Sequence, residues 1–412
     1  MKTITKARPS ASRLALGSIA LTLTLLFTGG AQAAGTCTEK ASGLLLPMST
    51  ALTPHGRLLV SESGVAWPNS GRISILESDG RRRTLIEGLP SGINDAGDTS
   101  GPAGLLLRGR TLLVAVGVGD VGIRGSNAAG QPVPGSAVVN PNGVSSPLFS
   151  SVLAIHFSAE AERSTKGFML TAFDQQALAG GQKVTLSNGG ADQLTIERIA
   201  DFPNYIPRPH PAVANNIQMS NPFGLAVVSD QIYVTDGGRN LVWRIDQTSG
   251  SITPVVEFAP IPNPIPGFAP VLDAVPTGIT PFGDQLLVTL FRGAPFPPGV
   301  STVQKVDPAA NNTSTFIGGL KTAIDVIPVS TEGSTEWLVL QHTSTGLFFG
   351  SPGQLLRFDS PAGPPTLIAD CLTLPTSMVL QVPNLNASCD MSARVSFCTM
   401  LRAFGPQMPM VV

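Results

Sequence analysis

Six polar residues in this chain stand beside short apolar runs, at positions where a repeated strand pair would bring them to one place. Asn221 and Thr277 flank the prolines that open such runs, while Glu62, Asp236, Arg292 and His342 stand at or just past the ends of runs of the Leu-Leu-Val type. Together they offer two carboxylates to accept a proton or hydrogen bond, a cation and an imidazole to donate toward negative charge, and an amide and a hydroxyl to orient a polar ligand. Each also has a structural reading. Asp236-Gly237-Gly238 is a turn sequence in which Asp accepts backbone N–H groups and Gly supplies positive φ. Asn221 can bond a neighbouring loop, Glu62 can be a solvated carboxylate, Arg292 can pair with a carboxylate, and His342, one of four histidines, can be structural. No Gly-rich phosphate loop, no Cys-x-x-Cys and no nucleophile elbow occurs. The pattern assigns no catalytic residue, no metal ligand and no cofactor.

The runs that position these residues recur as a unit. A Pro-small-apolar strand is followed by a polar turn, a Leu-Leu-Val strand, a variable loop, a strand ending in Arg-φ-Asp and a final apolar strand. The clearest copy reads Pro222-Phe223-Gly224-Leu225-Ala226, Gln231-Ile232-Tyr233-Val234-Thr235-Asp236, Leu241-Val242-Trp243-Arg244-Ile245-Asp246 and Thr253-Pro254-Val255-Val256-Glu257. Four strands per unit is the blade of a β-propeller. Further copies start at Pro276 and Ala323, and earlier ones are read from Leu58 and Pro102. A sixth begins at Pro375, and Glu39 to Leu44 reads as an outermost strand without a blade of its own. The expectation is an all-β, six-bladed propeller of four-stranded blades over residues 34–382, its ring closed by pairing the N- and C-terminal segments.

Between Pro102 and Pro222 the spacing exceeds the repeat of roughly 50 residues. An insertion at about 117–215 accounts for it, with a seventh blade as the alternative. Within it Ser151 to Ile155 resumes the third strand, and Lys183 to Leu186 with Leu194 to Glu197 reads as an added hairpin. Residues 383–412 leave the pattern and form a divergent tail. The Arg-φ-Asp ends, such as Arg244 and Asp246, read as blade-packing features.

At the other end, Lys2, Lys6, Arg8 and Arg13 precede an apolar stretch from Leu14 to Phe27 and the small-residue site Ala31-Gln32-Ala33. That is a secretory signal peptide over residues 1–33, which implies a periplasmic or secreted protein with no membrane span after cleavage. Four cysteines allow three pairings, and the short spacing favours Cys389 with Cys398. Charged residues make up 13% of the chain, about half the usual share, and the net charge is −1. A nucleic-acid partner is not expected from such a surface.

The stretches Ser220-Asn221-Pro222-Phe223-Gly224-Leu225-Ala226, Val234-Thr235-Asp236-Gly237-Gly238-Arg239-Asn240 and Pro295-Phe296-Pro297-Pro298-Gly299 resemble the ScyD/ScyE family of exported propellers. The resemblance covers roughly residues 40 to 380 and implies a fold, with an association to assembly of scytonemin, an indolic-phenolic pigment. Calcium-dependent lactonases of the gluconolactonase type share a six-bladed fold and use Pro-Asn-Gly and Pro-Asp-Gly at strand starts, where oxygen ligands suit a hard cation. Here the triplets read Pro222-Phe223-Gly224 and Pro276-Thr277-Gly278, which supply neither. The leading expectation is a propeller that binds a small organic or aromatic ligand at its channel mouth through Asn221, Asp236, Glu62, His342, Arg292 and Thr277. The alternative is a non-catalytic scaffold that recognises a protein partner, with a lactonase-like hydrolase behind both.

Overall fold

The computed structural model describes residues 37–331, 333–349 and 352–380. The expected signal segment, the tail from residue 383 and the Cys389/Cys398 pair lie outside the described residues. The rest is a β-propeller. Blade 1 comprises Pro47–Leu52, Leu58–Glu62, Gly71–Leu76 and Arg82–Leu89. Blade 2 comprises Pro102–Arg108, Thr111–Val116, Ser151–Phe157 and Gln193–Asp201. Blade 3 is built from Pro222–Val228, Gln231–Asp236, Leu241–Asp246 and Ile252–Glu257. Blade 4 is built from Pro276–Phe282, Gln285–Leu290, Ser301–Asp307 and Asn312–Leu320, and blade 5 from Ala323–Thr331, Ser334–Gln341, Gly353–Phe358 and Thr366–Leu372. Within each blade successive strands pair antiparallel. Helix among the described residues is confined to Ala159–Arg163 and Ala172–Ala179.

Alternation explains why these runs become blades. Both faces of an interior sheet meet a neighbouring blade, so middle strands such as Thr111–Val116 bury nearly every residue and read as continuous apolar runs. Leu59, Ile73, Ile86, Leu112, Val114 and Leu153 belong to one such inter-blade core and are inaccessible to solvent. Outer strands, such as Asn312–Leu320, alternate toward exposure. The Arg-φ-Asp ends serve turns rather than packing: Asp246 accepts from Thr248 and Ser249 N–H at 3.0 and 2.8 Å, and Asp307 from Ala309 and Ala310.

The expectation of six blades is corrected to five among the described residues. Inner strands of blades 1 to 5 adjoin in sequence, and Thr376 to Met378 occupies the remaining place around the channel. This segment forms no ladder strand. It is held by side chains instead: Ser377 Oγ accepts from Thr50 N–H at 3.3 Å, Thr376 donates to Pro47 O at 3.2 Å, and Asp325 Oδ2 accepts from Met378 N–H at 3.0 Å. Closure by strand pairing of Glu39 to Leu44 is corrected as well. Left-handed φ at Gly43 and Leu46 breaks the extended path, and Leu44 buries against Val60 and Leu76 of blade 1. What joins the ends is a disulfide between Cys37 and Cys371, Cα atoms 5.9 Å apart, tying the N-terminal segment to the outer strand of blade 5.

The insertion is two separate excursions around strands that belong to blade 2. Residues 117–150 link its second and third strands and carry the hairpin Gly122–Ser126 with Pro132–Val139. Residues 158–192 link its third and fourth strands, carry both helices, and add Phe168–Met169 to the edge of blade 1 and Val184–Ser187 to the edge of blade 2. The expected hairpin is present, and its second arm is the outer strand of blade 2 itself. No seventh blade occurs among the described residues.

Candidate functional site

Inner-strand starts lie opposite second-strand ends in every blade: Pro47 with Glu62, Pro222 with Asp236, Pro276 with Leu290, Ala323 with Gln341. The six residues singled out above therefore share one face, here called the upper face. Four of them are committed to holding the fold. Asp236 is fully buried and accepts from Asn221 N–H at 2.7 Å, Arg239 N–H at 3.0 Å and Trp243 Nε1–H at 2.9 Å. Burial pushes its carboxyl above the usual range, against those hydrogen bonds. Glu62, equally buried, accepts from Leu45 N–H and Ser74 Oγ–H and pairs with Arg72 at 2.6 Å. Gln341 does the same in blade 5, accepting from Lys321 N–H at 2.7 Å. Each of these three clasps the chain just before its blade begins, which satisfies a backbone donor that has no ladder partner.

Asn221 fastens the first excursion to blade 3, its Oδ1 accepting from Val118 N–H at 3.0 Å. Thr277 shares a hydroxyl contact with Thr289 at 2.9 Å, and its carbonyl accepts from Thr235 Oγ1–H at 2.5 Å across the blade 3/4 junction. Arg292 lies 6% exposed with φ +73°; its Nε donates to Val300 O at 3.3 Å, its Nη1 has no partner among the described residues, and burial lowers its pKa.

His342 is different. Its Nδ1 lies 3.0 Å from Pro375 O, so Nδ1 carries the proton and Nε2 is left as an acceptor. Burial lowers its pKa to about 4, and the ring is neutral at pH 7. Around it stands a group of aromatic rings that sequence reasoning passed over. Phe349 packs edge-on to His342 at 5.0 Å and stacks on Phe296 at 4.5 Å; Phe291 meets His342 at 5.6 Å; Phe348 meets Phe296 at 6.3 Å and Phe268 at 6.0 Å. Phe268 and Phe349 remain 45% and 44% exposed, which leaves a platform with open ring faces.

Loops after the second strands of blades 4 and 5 build this platform and are locked together. Phe348 N–H donates to Pro295 O at 2.9 Å. The buried ammonium of Lys321 donates to the carbonyls of Thr345, Gly346 and Phe348. Arg292, Phe296 and Phe348 all hold left-handed φ, which bulky residues adopt only under constraint. A signal was present in the sequence, since Leu347-Phe348-Phe349 is an apolar run in a loop position where no core lies.

The platform adjoins the channel. Phe223 and Phe296 pack against the cluster that holds Phe291 and Ile324, and Phe223 and Ile324 line the channel. Within the channel one position of the repeat reads Ser49, Gly104, Gly224, Gly278, Asp325 and Ser377 around the ring. At Gly278 a Cβ would fall 2.6 Å from Ile324 O, so the close approach of inner strands requires glycine there. Asp325 stands in the space so left, and burial raises its carboxyl to about 7. The channel cavity is about 140 Å³, below the roughly 300 Å³ at which ordinary ligand pockets begin. The mouth, not the channel, has room for a ligand.

No protein-family profile matches this chain, and no curated protein matches it. Solved structures do. A catalytically inactive virginiamycin B lyase from Staphylococcus aureus with quinupristin aligns over 81% of this chain and 88% of its own at 13% identity and a TM-score of 0.38. A nidogen/laminin complex aligns over 78% of this chain and 81% of its own at 10% identity and a TM-score of 0.37. At these values the likenesses assign no activity to this chain.

Proposed function

We propose that this propeller is an exported, periplasmic or secreted protein of the ScyD/ScyE type that binds a small aromatic ligand at its channel mouth. The observation that carries the ligand reading is the exposed ring platform of Phe296, Phe349 and Phe268 beside the acceptor nitrogen of His342. A planar ring stacks on Phe349 and Phe296, and its O–H or N–H donates to His342 Nε2. Phenols and indoles have both features. The motifs around Asn221, Asp236 and Phe296 support the family assignment, and the leader-like residues up to Ala33 support export.

The test is titration calorimetry of the mature chain with p-cresol and with indole. Binding of both is expected, weakened about tenfold by Phe349→Ala and weakened for p-cresol more than for toluene by His342→Gln. Equal affinity of wild type and Phe349→Ala for both probes would overturn the ligand reading.

A further inference from the structure

On the opposite face, the junction of blades 2 and 3 opens into a cleft of about 720 Å³, within the range of small-molecule sites. One wall is a cross-strand row on blade 2. Arg108 lies directly opposite Thr111, and Thr111 directly opposite His156, so all three project from one face of the sheet. His156 is engaged at both nitrogens, with Thr111 Oγ1 at 2.9 Å from Nδ1 and Glu197 Oε1 at 2.9 Å from Nε2. Because the carboxylate accepts from Nε2–H, Nδ1 is an acceptor and the Thr111 hydroxyl donates to it. The hydroxyl oxygen of Thr111 is thereby turned into a hydrogen-bond acceptor toward the cleft. Arg108 is held loosely, 3.5 Å from Gln247 Oε1 and from Asp230 Oδ1. The facing wall, Ile232 and Ile245 of blade 3, is apolar.

The same place at the blade 4/5 junction is closed. Phe282 ends its inner strand as Arg108 does, and Trp337 stands as far from the second-strand end at Gln341 as Ile232 stands from Asp236. There Phe282, Trp337 and Phe316 pack ring to ring at 5.4 to 6.3 Å. The repeat thus accommodates large residues that fill this junction, and blades 2 and 3 carry smaller and charged ones that leave it open.

We infer that this cleft is a second ligand site, for a small amphipathic hydroxy acid. Its carboxylate pairs with the Arg108 guanidinium, its hydroxyl donates to Thr111 Oγ1, and its hydrocarbon part covers Ile232 and Ile245. Neither the aromatic platform nor its ligand is needed for this site.

The test is titration calorimetry with 3-hydroxyoctanoate, with octanoate as the probe lacking the hydroxyl. Wild type binds 3-hydroxyoctanoate more tightly than octanoate. Arg108→Gln weakens both about tenfold or more, as loss of a charge-assisted contact does, and Thr111→Val removes the preference for the hydroxy acid. Ile232→Trp, which places at this junction the residue found in blade 5, abolishes binding. Should that variant fail to fold by circular dichroism, the two rim variants decide alone. Phe349→Ala binds as wild type does. Absence of binding to wild type at millimolar concentration, unchanged affinity in Arg108→Gln, or loss of binding in Phe349→Ala would each overturn the inference.

Discussion

The blade 1 and 3 side of the upper face and the blade 4 and 5 side occupy equivalent places in the repeat and do opposite things. At blades 1 and 3 the second strand ends in a carboxylate, Glu62 or Asp236, which is buried and surrounded by donors from its own blade. At blades 4 and 5 the chain leaves the second strand through Phe291-Arg292 and His342, and the rings that follow keep exposed faces. A position in a repeat decides where a side chain stands. Its neighbours decide whether it is free to meet anything else.

The sharpest way to break the comparison is to remove a clasp. Asp236→Ala leaves three buried donors without an acceptor, at about 1–3 kcal/mol for each fully orphaned group, and the expected loss in urea unfolding is about 3–4 kcal/mol. Asp236→Asn keeps one acceptor oxygen and costs less. Aromatic binding by the folded fraction stays as in wild type. A stability loss below about 1 kcal/mol in the Ala variant would show that Asp236 is not a clasp.

A pH series comes next, because the channel and the platform hold oppositely shifted groups. Asp325, raised to about 7, keeps a proton in the folded chain that the unfolded chain releases near pH 4. Its contribution is fully present below pH 4 and is lost as pH rises to about 7. His342, lowered to about 4, refuses a proton that the unfolded chain takes up near pH 6.5. Its contribution is fully present above pH 6.5 and is lost as pH falls to about 4. Each effect is at most on the order of 3 kcal/mol, and between pH 4.5 and 6.5 they offset one another. Asp325→Asn is therefore expected to make stability rise with pH, and His342→Gln to make it fall. Urea midpoints at three pH values check the signs, and two variants with the wild-type slope would refute the assignment.

The smallest effect sharpens the contrast from the platform side. Phe349→Ala removes a ring that is 44% exposed, so its stability cost is expected at or below about 1 kcal/mol while aromatic binding drops. A cost matching that of Asp236→Ala would mean that Phe349 is core rather than surface.

Much of this was legible along the chain. Strands with Leu-Leu-Val cores, Gly- and Pro-rich turns and the repeated Pro-x-Gly start announce blades, since an interior sheet buried on both faces demands continuous apolar runs. The shared face of Asn221, Asp236, Thr277, Arg292, Glu62 and His342 follows from antiparallel pairing alone. The Cys37–Cys371 bond was not legible, because cysteines remote in sequence meet only when the ring closes. Nor was the role of Leu194 to Glu197, which local pattern reads as an added hairpin and which the sheet makes the outer strand of blade 2.

The sequence by itself determined the strand pattern, the blade repeat and the polar residues that share a face, because those depend on local periodicity and on pairing between chain neighbours. Only the tertiary structure decided that five blades are present among the described residues, that Thr376 to Met378 takes the remaining place around the channel, and that Asp236 and Glu62 are clasps while His342 borders exposed rings. Those outcomes depend on which distant side chains and loops meet across a junction. Burial and hydrogen-bond satisfaction there are properties of the assembled ring, and no short stretch of residues carries them.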